Sequence, residues 1–244
     1  MTFTIYSGKI PYLTTGQMIE VDRAMMEDYR IDLIQMMENA GRNLAHLARN
    51  RFFDRDPRDK IVVVLAGAGG NGGGALVCAR RLSNFGAAVL VYTTKPIENI
   101  KSVPAHQLDI LRRMGMPIGT ASKLKQSAQP DLIIDGIIGY SLKGTPRGTA
   151  ADMIRWANSQ AAPVLALDAP SGIDTTTGTV FEPAIRATAT MTLALSKEGL
   201  RAAGVLDYVG ELYLADISVP PQLYKSLGLD VAPIFAEGEI IRLR

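Results

Sequence analysis

The sequence predicts an α/β protein with a doubly wound, mostly parallel central sheet. Three observations predict this class: short apolar runs rich in β-branched residues recur along the chain, segments of helical periodicity separate them, and a glycine-rich loop directly follows the first run. Strands that alternate with helices are joined by right-handed crossovers, which place helices on both faces of the sheet. We therefore expect strands that are buried on both faces.

Two amphipathic helices are predicted before the first strand. Thr15 and Asp32 are placed to cap their N-termini. Apolar side chains then recur at helical spacing: Met18, Val21 and Met25 in the first helix, and Leu33, Met36, Met37, Ala40, Leu44 and Leu47 in the second. Methionine stripes of this kind are typical of helix packing.

Six apolar runs are predicted to form strands: residues 61–66, 88–92, 132–135, 164–168, 189–195 and 211–215. Two further helices are predicted between the first three strands. One runs through Val77 and Leu82, and the other runs from Ala105 to Met114.

No internal repeat, low-complexity tract or linker interrupts the chain. We therefore expect a single domain over 1–244, with N-terminal helices at 15–50, a core at 60–220 and a C-terminal tail at 229–244. The apolar pair Ile240 and Ile241 makes an edge strand in that tail compatible with the sequence.

Composition excludes several classes of protein. The 244 residues are 47% hydrophobic, and 26 basic residues face 24 acidic ones for a net charge of +2, which argues against disorder and against an extended nucleic-acid or membrane surface. The single cysteine, Cys78, permits neither an intramolecular disulfide nor a thiolate zinc cluster. Residues 1–6 lack the features of a signal peptide, and no apolar run approaches the roughly 20 residues that span a bilayer. We expect a cytoplasmic protein.

The glycine-rich loop at 67–74 lies where an anion would bind. Gly67, Gly69 and Gly72 satisfy the pattern G-x-G-x-x-G between a strand and a helix, where free backbone N–H groups attract phosphate. A tight turn with close helix–sheet packing is the alternative interpretation. A P-loop is excluded because Ala75 and Leu76 follow the last glycine. A permanently bound nicotinamide cofactor is disfavoured because residues 92–95 supply no acid to bind its ribose.

Polar side chains follow three of the predicted strands. Asn71 lies in the glycine loop, Asp135 ends the third strand, and Asp168 ends the fourth with Ser171 just beyond it. Because ligands of open α/β sheets bind at the carboxyl ends of the strands, these residues are candidates for a site. The oxygens of Asn71, Asp135 and Ser171 suit a hard cation, and a hydrogen-bonded structural network explains them equally well.

Nucleophilic catalysis by Ser171 is disfavoured. Ala169 and Ile173 stand where a nucleophile elbow requires glycine. His46 and His106 both lie in predicted helices away from these loops, and we interpret them as surface or packing residues.

Motifs through nearly the whole chain resemble one family. They lie at residues 13–18, 21–22, 37–41 (Met-Glu-Asn-Ala-Gly), 67–74, 134–139, 142–144, 168–174 (Asp-Ala-Pro-Ser-Gly-Ile-Asp), 178, 197–200 (Lys-Glu-Gly-Leu) and 210–217. In this order they resemble the NAD(P)H-hydrate epimerases, the family of the YjeF N-terminal domain. The resemblance implies a Rossmann-like three-layer αβα sandwich with a mostly parallel central sheet, assembled as a homodimer.

The same resemblance implies an isomerase. The family interconverts the R and S forms of hydrated NADH and NADPH, NADHX and NADPHX, which carry a hydroxyl derived from water on the nicotinamide ring. A separate dehydratase then restores the cofactor. The dehydratase domain of bifunctional members is expected to be absent here, because the sequence ends soon after the last epimerase-like motif.

Site residues also carry over from the resemblance. It implies a potassium ion held by Asn71, Asp135 and Ser171, with Asp135 as the proton-transfer group. It implies that the substrate, with its pyrophosphate near the helix after the glycine loop, contacts Gly70, Asn71, Gly72, Gly73, Gly74, Gly139, Tyr140, Ser141, Leu142, Lys143, Gly144, Thr145 and Asp168.

Three of these positions differ from the family pattern. The family's glycine loop usually reads N-N-G-G-D-G, whereas Gly70 and Gly74 occupy its first and fifth places here, and Tyr140 stands where a small hydroxyl residue is usual. An alternative function is therefore a catalytically altered module that keeps the fold and binds a nucleotide or a protein partner.

Overall fold

The computed structural model describes residue 3 and residues 5–244. Its helices are α1 (Thr15–Glu27), α2 (Leu33–Phe52), α3 (Gly70–Asn84), α4 (Ser102–Arg113), α5 (Gly148–Asn158), α6 (Leu206–Val209) and α7 (Pro221–Ser226). Its strands are β1 (Ile61–Ala66), β2 (Ala88–Thr93), β3 (Ile118–Thr120), β4 (Leu132–Gly136), β5 (Val164–Leu167), β6 (Ala189–Leu193), β7 (Glu211–Ala215) and β8 (Ile240–Arg242).

The strands of the described residues form one sheet in the order β3-β2-β1-β4-β5-β6-β7-β8. Neighbouring strands are parallel from β3 to β7, and β8 is antiparallel to β7. The strand order reverses between β1 and β4, where Ala66 pairs with Gly136. Such a reversal opens a crevice at the carboxyl ends of the two strands, which is the usual ligand position in open α/β sheets.

Successive residues of β1 show why this is a three-layer sandwich. Val62 and Val64 belong to a buried cluster with side chains of α2, α3 and α4. Val63 and Leu65 belong to a second cluster, which contains Met153 and Ile154 of α5. Because side chains alternate across a strand, helices cover both faces of the sheet. The predicted α/β class and layer arrangement are confirmed.

All six predicted strands form, with small changes at their ends. The fifth ends at Leu193 rather than at residue 195, and Asp168 lies just outside β5. The edge strand compatible with the tail is present as β8. Four elements have no counterpart in the sequence analysis: β3, a three-residue edge strand, and the helices α5, α6 and α7.

The predicted cap of the first helix is wrong by one residue. Thr14 is the N-cap, and its side chain accepts a hydrogen bond from the Gln17 N–H at 3.2 Å. The Thr14 N–H donates in turn to Gln17 Oε1 at 2.9 Å, which completes a capping box. Thr15 instead shares a side-chain hydrogen bond of 3.0 Å with Thr175. Asp32 is the N-cap of α2, as predicted.

Helices in the described part of the chain are all too short or too polar to cross a bilayer. The apolar side chains of α1 and α2 are instead largely buried in the protein, including Met18, Met25, Met36 and Met37. These methionines pack helices, as the sequence predicted, and Met18, Met36 and Met37 also face the cavity described below.

Candidate active site

A cavity of about 360 Å³ lies at the carboxyl ends of the central strands. Two helices, the glycine loop and the loop between β4 and α5 contribute to its walls. Its lining comprises Met18, Asp22, Leu33, Met36, Met37, Ala40, Gly69, Gly70, Asn71, Gly74, Ile137, Ile138, Gly139, Tyr140, Ser141, Leu167, Asp168, Leu193 and Ile217. A cavity of this size and position is typical of a small-molecule site.

The geometry of the glycine loop fits both interpretations of it. A Cβ atom on Gly72 would lie 1.9 Å from the Gly67 carbonyl oxygen, so close packing requires a glycine there. A Cβ atom on Gly69, the N-cap of α3, would meet no atom within 4 Å. Gly69 and Gly70 line the cavity, and the first N–H groups of α3 have no partner within the helix. The loop is therefore a tight turn that presents a helix N-terminus to the cavity.

Asp135 and Ser171 form a buried hydrogen-bonded unit next to this loop. Both side chains are fully buried. Asp135 Oδ1 accepts from Ser171 Oγ at 2.6 Å and from the Ile137 N–H at 3.1 Å, and Oδ2 accepts from the Ser171 N–H at 2.8 Å. Burial raises the pKa of Asp135 to about 6, against the opposing effect of the Ser171 hydrogen bonds.

The loop after β4 connects this unit to Asn71. The Ile138 N–H donates to Ser171 Oγ at 2.9 Å, and a Cβ atom on Gly139 would lie 3.1 Å from the amide carbon of Asn71. The amide nitrogen of Asn71 is buried without a hydrogen-bond partner among the described residues. A buried amide rarely stays unpartnered. Turning the Asn71 amide by 180° exchanges its nitrogen and oxygen, and the oxygen in that position would serve as a cation ligand. The three predicted potassium ligands therefore fit a hard cation by their chemistry.

Among the described residues, no three His, Cys, Asp or Glu side chains lie close enough together to hold a metal ion. A cation held at Asn71, Asp135 and Ser171 would thus have one carboxylate among its side-chain ligands.

Asp168 is held in a salt bridge at the floor of the cavity. Its Oδ1 accepts a hydrogen bond from Lys197 Nζ, and its Oδ2 accepts from the Tyr140 N–H at 3.2 Å. Lys197 is fully buried, and its ammonium also donates to Thr192 Oγ1 at 3.2 Å and to the Leu193 carbonyl at 2.9 Å. The backbone of Asp168 is left-handed, with φ of 66°. The salt bridge thus places one carboxylate against the cavity in a fixed orientation.

A second carboxylate lines the cavity from α1. Asp22 is partly buried, and its Oδ2 accepts a hydrogen bond from the Tyr140 hydroxyl. Burial raises the pKa of Asp22, whereas Tyr140 and Lys197 lower it and Asp168 raises it further. Burial and the neighbouring Asp22 also raise the pKa of the Tyr140 phenol above its ordinary value. This hydrogen bond ties α1 to the loop after β4.

Comparison with known proteins identifies the family. Residues 33–199 match the family described as YjeF-related protein N-terminus. Over its whole length the chain is 37% identical to the NAD(P)H-hydrate epimerase of Dehalogenimonas lykanthroporepellens, of which it covers 97%. The chain belongs to the YjeF-related N-terminal family.

A further relative and a solved structure extend this result. Over 86% of its length the chain is 33% identical to the bifunctional NAD(P)H-hydrate repair enzyme Nnr of Salinibacter ruber, and it spans 41% of that enzyme. The solved structure of the yeast protein YNL200c superposes with a TM-score of 0.81 at 24% identity, covering 96% of this chain and 100% of the yeast chain. That likeness confirms the fold.

The site residues carried over from the family occupy three kinds of position. Seven line the cavity: Gly70, Asn71, Gly74, Gly139, Tyr140, Ser141 and Asp168. Four lie outside that lining, farther along the loop after β4: Leu142, Lys143, Gly144 and Thr145. Gly72, Gly73, Asp135 and Ser171 are buried and do not line the cavity.

Asp22 and Lys197 are two charged side chains at the site that sequence reasoning did not assign to it. Both belong to motifs of the family, but neither had been connected to a strand end. For Lys197 a signal exists, because it follows a buried strand by four residues, as a charged side chain at a site would. Asp22 carries no such signal, because it lies on an amphipathic helix where an acid normally faces water.

Proposed function

We propose that this chain is an NAD(P)H-hydrate epimerase, which interconverts the R and S forms of hydrated NADH and NADPH. One observation carries the proposal: a chain that aligns over its full length with a relative of that name has a cavity whose lining includes seven of the residues that the family resemblance implies for substrate. The glycine loop, the loop after β4 and Asp168 surround the same space.

Backbone groups of the glycine loop would bind the phosphates of such a substrate. Gly69 and Gly70 leave open space in front of the first turn of α3, where unpaired N–H groups and the helix dipole favour an anion. Met36 and Met37 of α2 provide apolar wall on the cavity. The site thus combines an anion-binding end with an apolar surface, as a dinucleotide requires.

Epimerisation requires that a hydroxyl leave one face of a ring carbon and that a hydroxyl return on the other. Departure needs a proton donor at the oxygen, and return needs a proton acceptor. The cavity supplies the acidic side chains of Asp22 and Asp168 for this chemistry. The salt bridge with Lys197 holds the Asp168 carboxylate in one orientation. Asp135 lies beneath the lining, with both oxygens engaged by Ser171.

We propose potassium as the resident ion, held by Asn71, Asp135 and Ser171. The Asn71 amide supports this assignment if it is turned so that its oxygen replaces the unpartnered nitrogen, and so do the contact between Asp135 and Ser171 and the closeness of Asn71 to the loop after β4. When bound, the ion would supply positive charge that offsets the buried carboxylate of Asp135. Asp135 itself would hold the ion and fix the loop after β4 through the Ile137 N–H.

The decisive test is epimer interconversion. Purified protein at substoichiometric amounts, given one isomer of NADHX or NADPHX with potassium present, is expected to accelerate the approach to the R/S equilibrium measured by chromatography. Folded protein that leaves the rate at its spontaneous value would refute the enzymatic function. Saturable binding without turnover would instead favour the alternative of a nucleotide-binding module.

We also propose a homodimer. The exposed apolar side chains of α1 and its end are Ile19, Met26 and Tyr29, which are 55%, 37% and 39% exposed. Ile19 and Met26 are seven residues apart and so share one helix face. Sedimentation equilibrium at micromolar concentration is expected to show twice the chain mass of 26.3 kDa. A species of 26.3 kDa alone would refute the dimer.

The remaining proposals concern the setting of the reaction. We propose that a separate dehydratase acts on the same hydrates, which agrees with the existence of longer bifunctional repair enzymes among the relatives. We propose that the protein is cytoplasmic and acts on a small molecule without nucleic acid or membrane as a partner.

A further inference from the structure

The hydrogen bond between Tyr140 and Asp22 crosses the cavity wall and joins two distant parts of the chain. The partners are 118 positions apart, one in the loop after β4 and the other in α1. Both side chains line the cavity, and both are partly buried. Family motifs include Asp22, but Tyr140 departs from the family pattern, so the pair is a feature of this chain.

The other two carboxylates near the cavity are already engaged. Asp168 uses one oxygen for Lys197 and the other for the Tyr140 N–H. Asp135 accepts three hydrogen bonds and does not line the cavity. Asp22, by contrast, accepts a single hydrogen bond from the described residues, at Oδ2. Its Oδ1 is therefore free of protein donors in that part of the chain.

We propose that Asp22 and Tyr140 form the proton-transfer pair of the epimerase, an inference that rests on the proposed function. In the departing step the C–O bond of the hydrated ring breaks, and its electron pair leaves with the oxygen. That oxygen takes the proton of the Asp22 carboxyl and becomes water, while the lone pair of the ring nitrogen forms a C=N bond. On return, water adds to the same carbon from the opposite face, and its proton is restored to Asp22.

Tyr140 holds Asp22 in position and supplies a neutral hydroxyl beside it. The charged and titratable groups that face Asp22 are Tyr140, Lys197 and Asp168. Burial raises the pKa of Asp22, so more of the carboxyl is protonated near neutral pH than at the surface. A general acid works best when its pKa lies near the working pH.

Asp22→Asn and Tyr140→Phe test the pair. An asparagine at 22 still accepts a hydrogen bond from Tyr140, so the link between α1 and the loop is kept while the transferable proton is lost. For Asp22→Asn we expect kcat to fall about 10²-fold with little change in KM, which is the scale of a general acid–base group. Asp28→Asn on the surface end of α1 and Tyr208→Phe in α6 are matched controls that should keep the wild-type rate.

The pH profile distinguishes proton transfer from a purely structural link. The wild-type kcat should fall as pH rises through the pKa of Asp22, because the acid form is the donor. Asp22→Asn should abolish this limb. Tyr140→Phe should move it to higher pH, because the Tyr140 hydrogen bond lowers the pKa of Asp22. Circular dichroism and urea unfolding establish that each variant is folded.

The outcomes separate the two proposals. If the wild-type protein interconverts the epimers and Asp22→Asn keeps its kcat and its basic limb, the pair is refuted while the epimerase function stands. If the folded wild-type protein does not interconvert them, the function fails and the inference fails with it.

Discussion

Replacement of Lys197 by methionine is expected to lower the free energy of unfolding by about 3–5 kcal/mol, the usual cost of leaving a buried charge without its partner. Lys197 is fully buried, and Asp168 is nearly so. Methionine fills a similar volume but removes the donor to Asp168 Oδ1 and the hydrogen bonds to Thr192 and Leu193. Urea unfolding followed by circular dichroism measures the loss.

A second variant separates the unpaired charge from lost packing. Asp168→Asn combined with Lys197→Met removes both charges, and Asn tolerates the left-handed backbone at this position. We expect the double variant to recover most of the lost stability, because removing both partners of a buried pair is often close to neutral. Its epimerase rate should stay low, since the carboxylate at the cavity is gone.

Lys95→Met provides the matched control. Lys95 also follows the carboxyl end of a strand, but its side chain is exposed. Surface substitutions usually change stability by less than about 0.5 kcal/mol. Equal stability of Lys197→Met and the wild type would contradict the salt bridge as a determinant of the fold.

The sequence predicted the sheet because its strands carry a local signal. Buried parallel strands are continuous apolar runs, and 61–66 and 132–135 match β1 and β4 almost residue for residue. The position of the site followed from the same signal, because the carboxyl ends of parallel strands lie at the same edge of the sheet. Asp135 and Ser171 were predicted to meet there, and the structure joins them by two hydrogen bonds.

Elements without a local signal were missed. The strand β3 has three residues with a glycine at its centre, so neither alternation nor length marks it. The helix α5 begins at Gly148 after a glycine-containing loop, which hides its start. Its buried side chains Ala151, Ile154 and Ala157 recur at helical spacing, but no side chain of the described residues caps its N-terminus.

Contacts between distant segments were also beyond the sequence. Tyr140 reaches Asp22 across 118 positions because α1 and the loop after β4 line the same cavity. The left-handed backbone of Asp168 and its bond to Lys197 depend on β5 and β6 being neighbours. Such pairings follow from the order of strands in the sheet, which periodicity along the chain does not encode.

Asp135→Asn is expected to reduce the epimerase rate by about 10²-fold, because the carboxylate fixes the loop after β4 that lines the cavity, and misplacement of a site by about 1 Å has an effect of that size. The carboxylate accepts hydrogen bonds at both oxygens from the N–H groups of Ile137 and Ser171. An amide nitrogen in place of either oxygen would face one of these N–H donors, and a buried unpaired donor costs about 1–3 kcal/mol. The loop after β4 should therefore move, and added potassium should not restore the rate.

Ser171→Ala should behave differently, because it removes one neutral oxygen and leaves the Ser171 backbone N–H on Asp135. If Asn71, Asp135 and Ser171 hold a monovalent cation, this variant binds the ion more weakly, and its lower rate is partly restored by raising potassium. Crystals soaked in rubidium should show anomalous density among the three side chains. Anomalous density elsewhere, together with a potassium-independent rate for Ser171→Ala, would contradict the ion site. The three side chains would then form a hydrogen-bonded structural network, in which Asp135 orders the end of the strand without an ion.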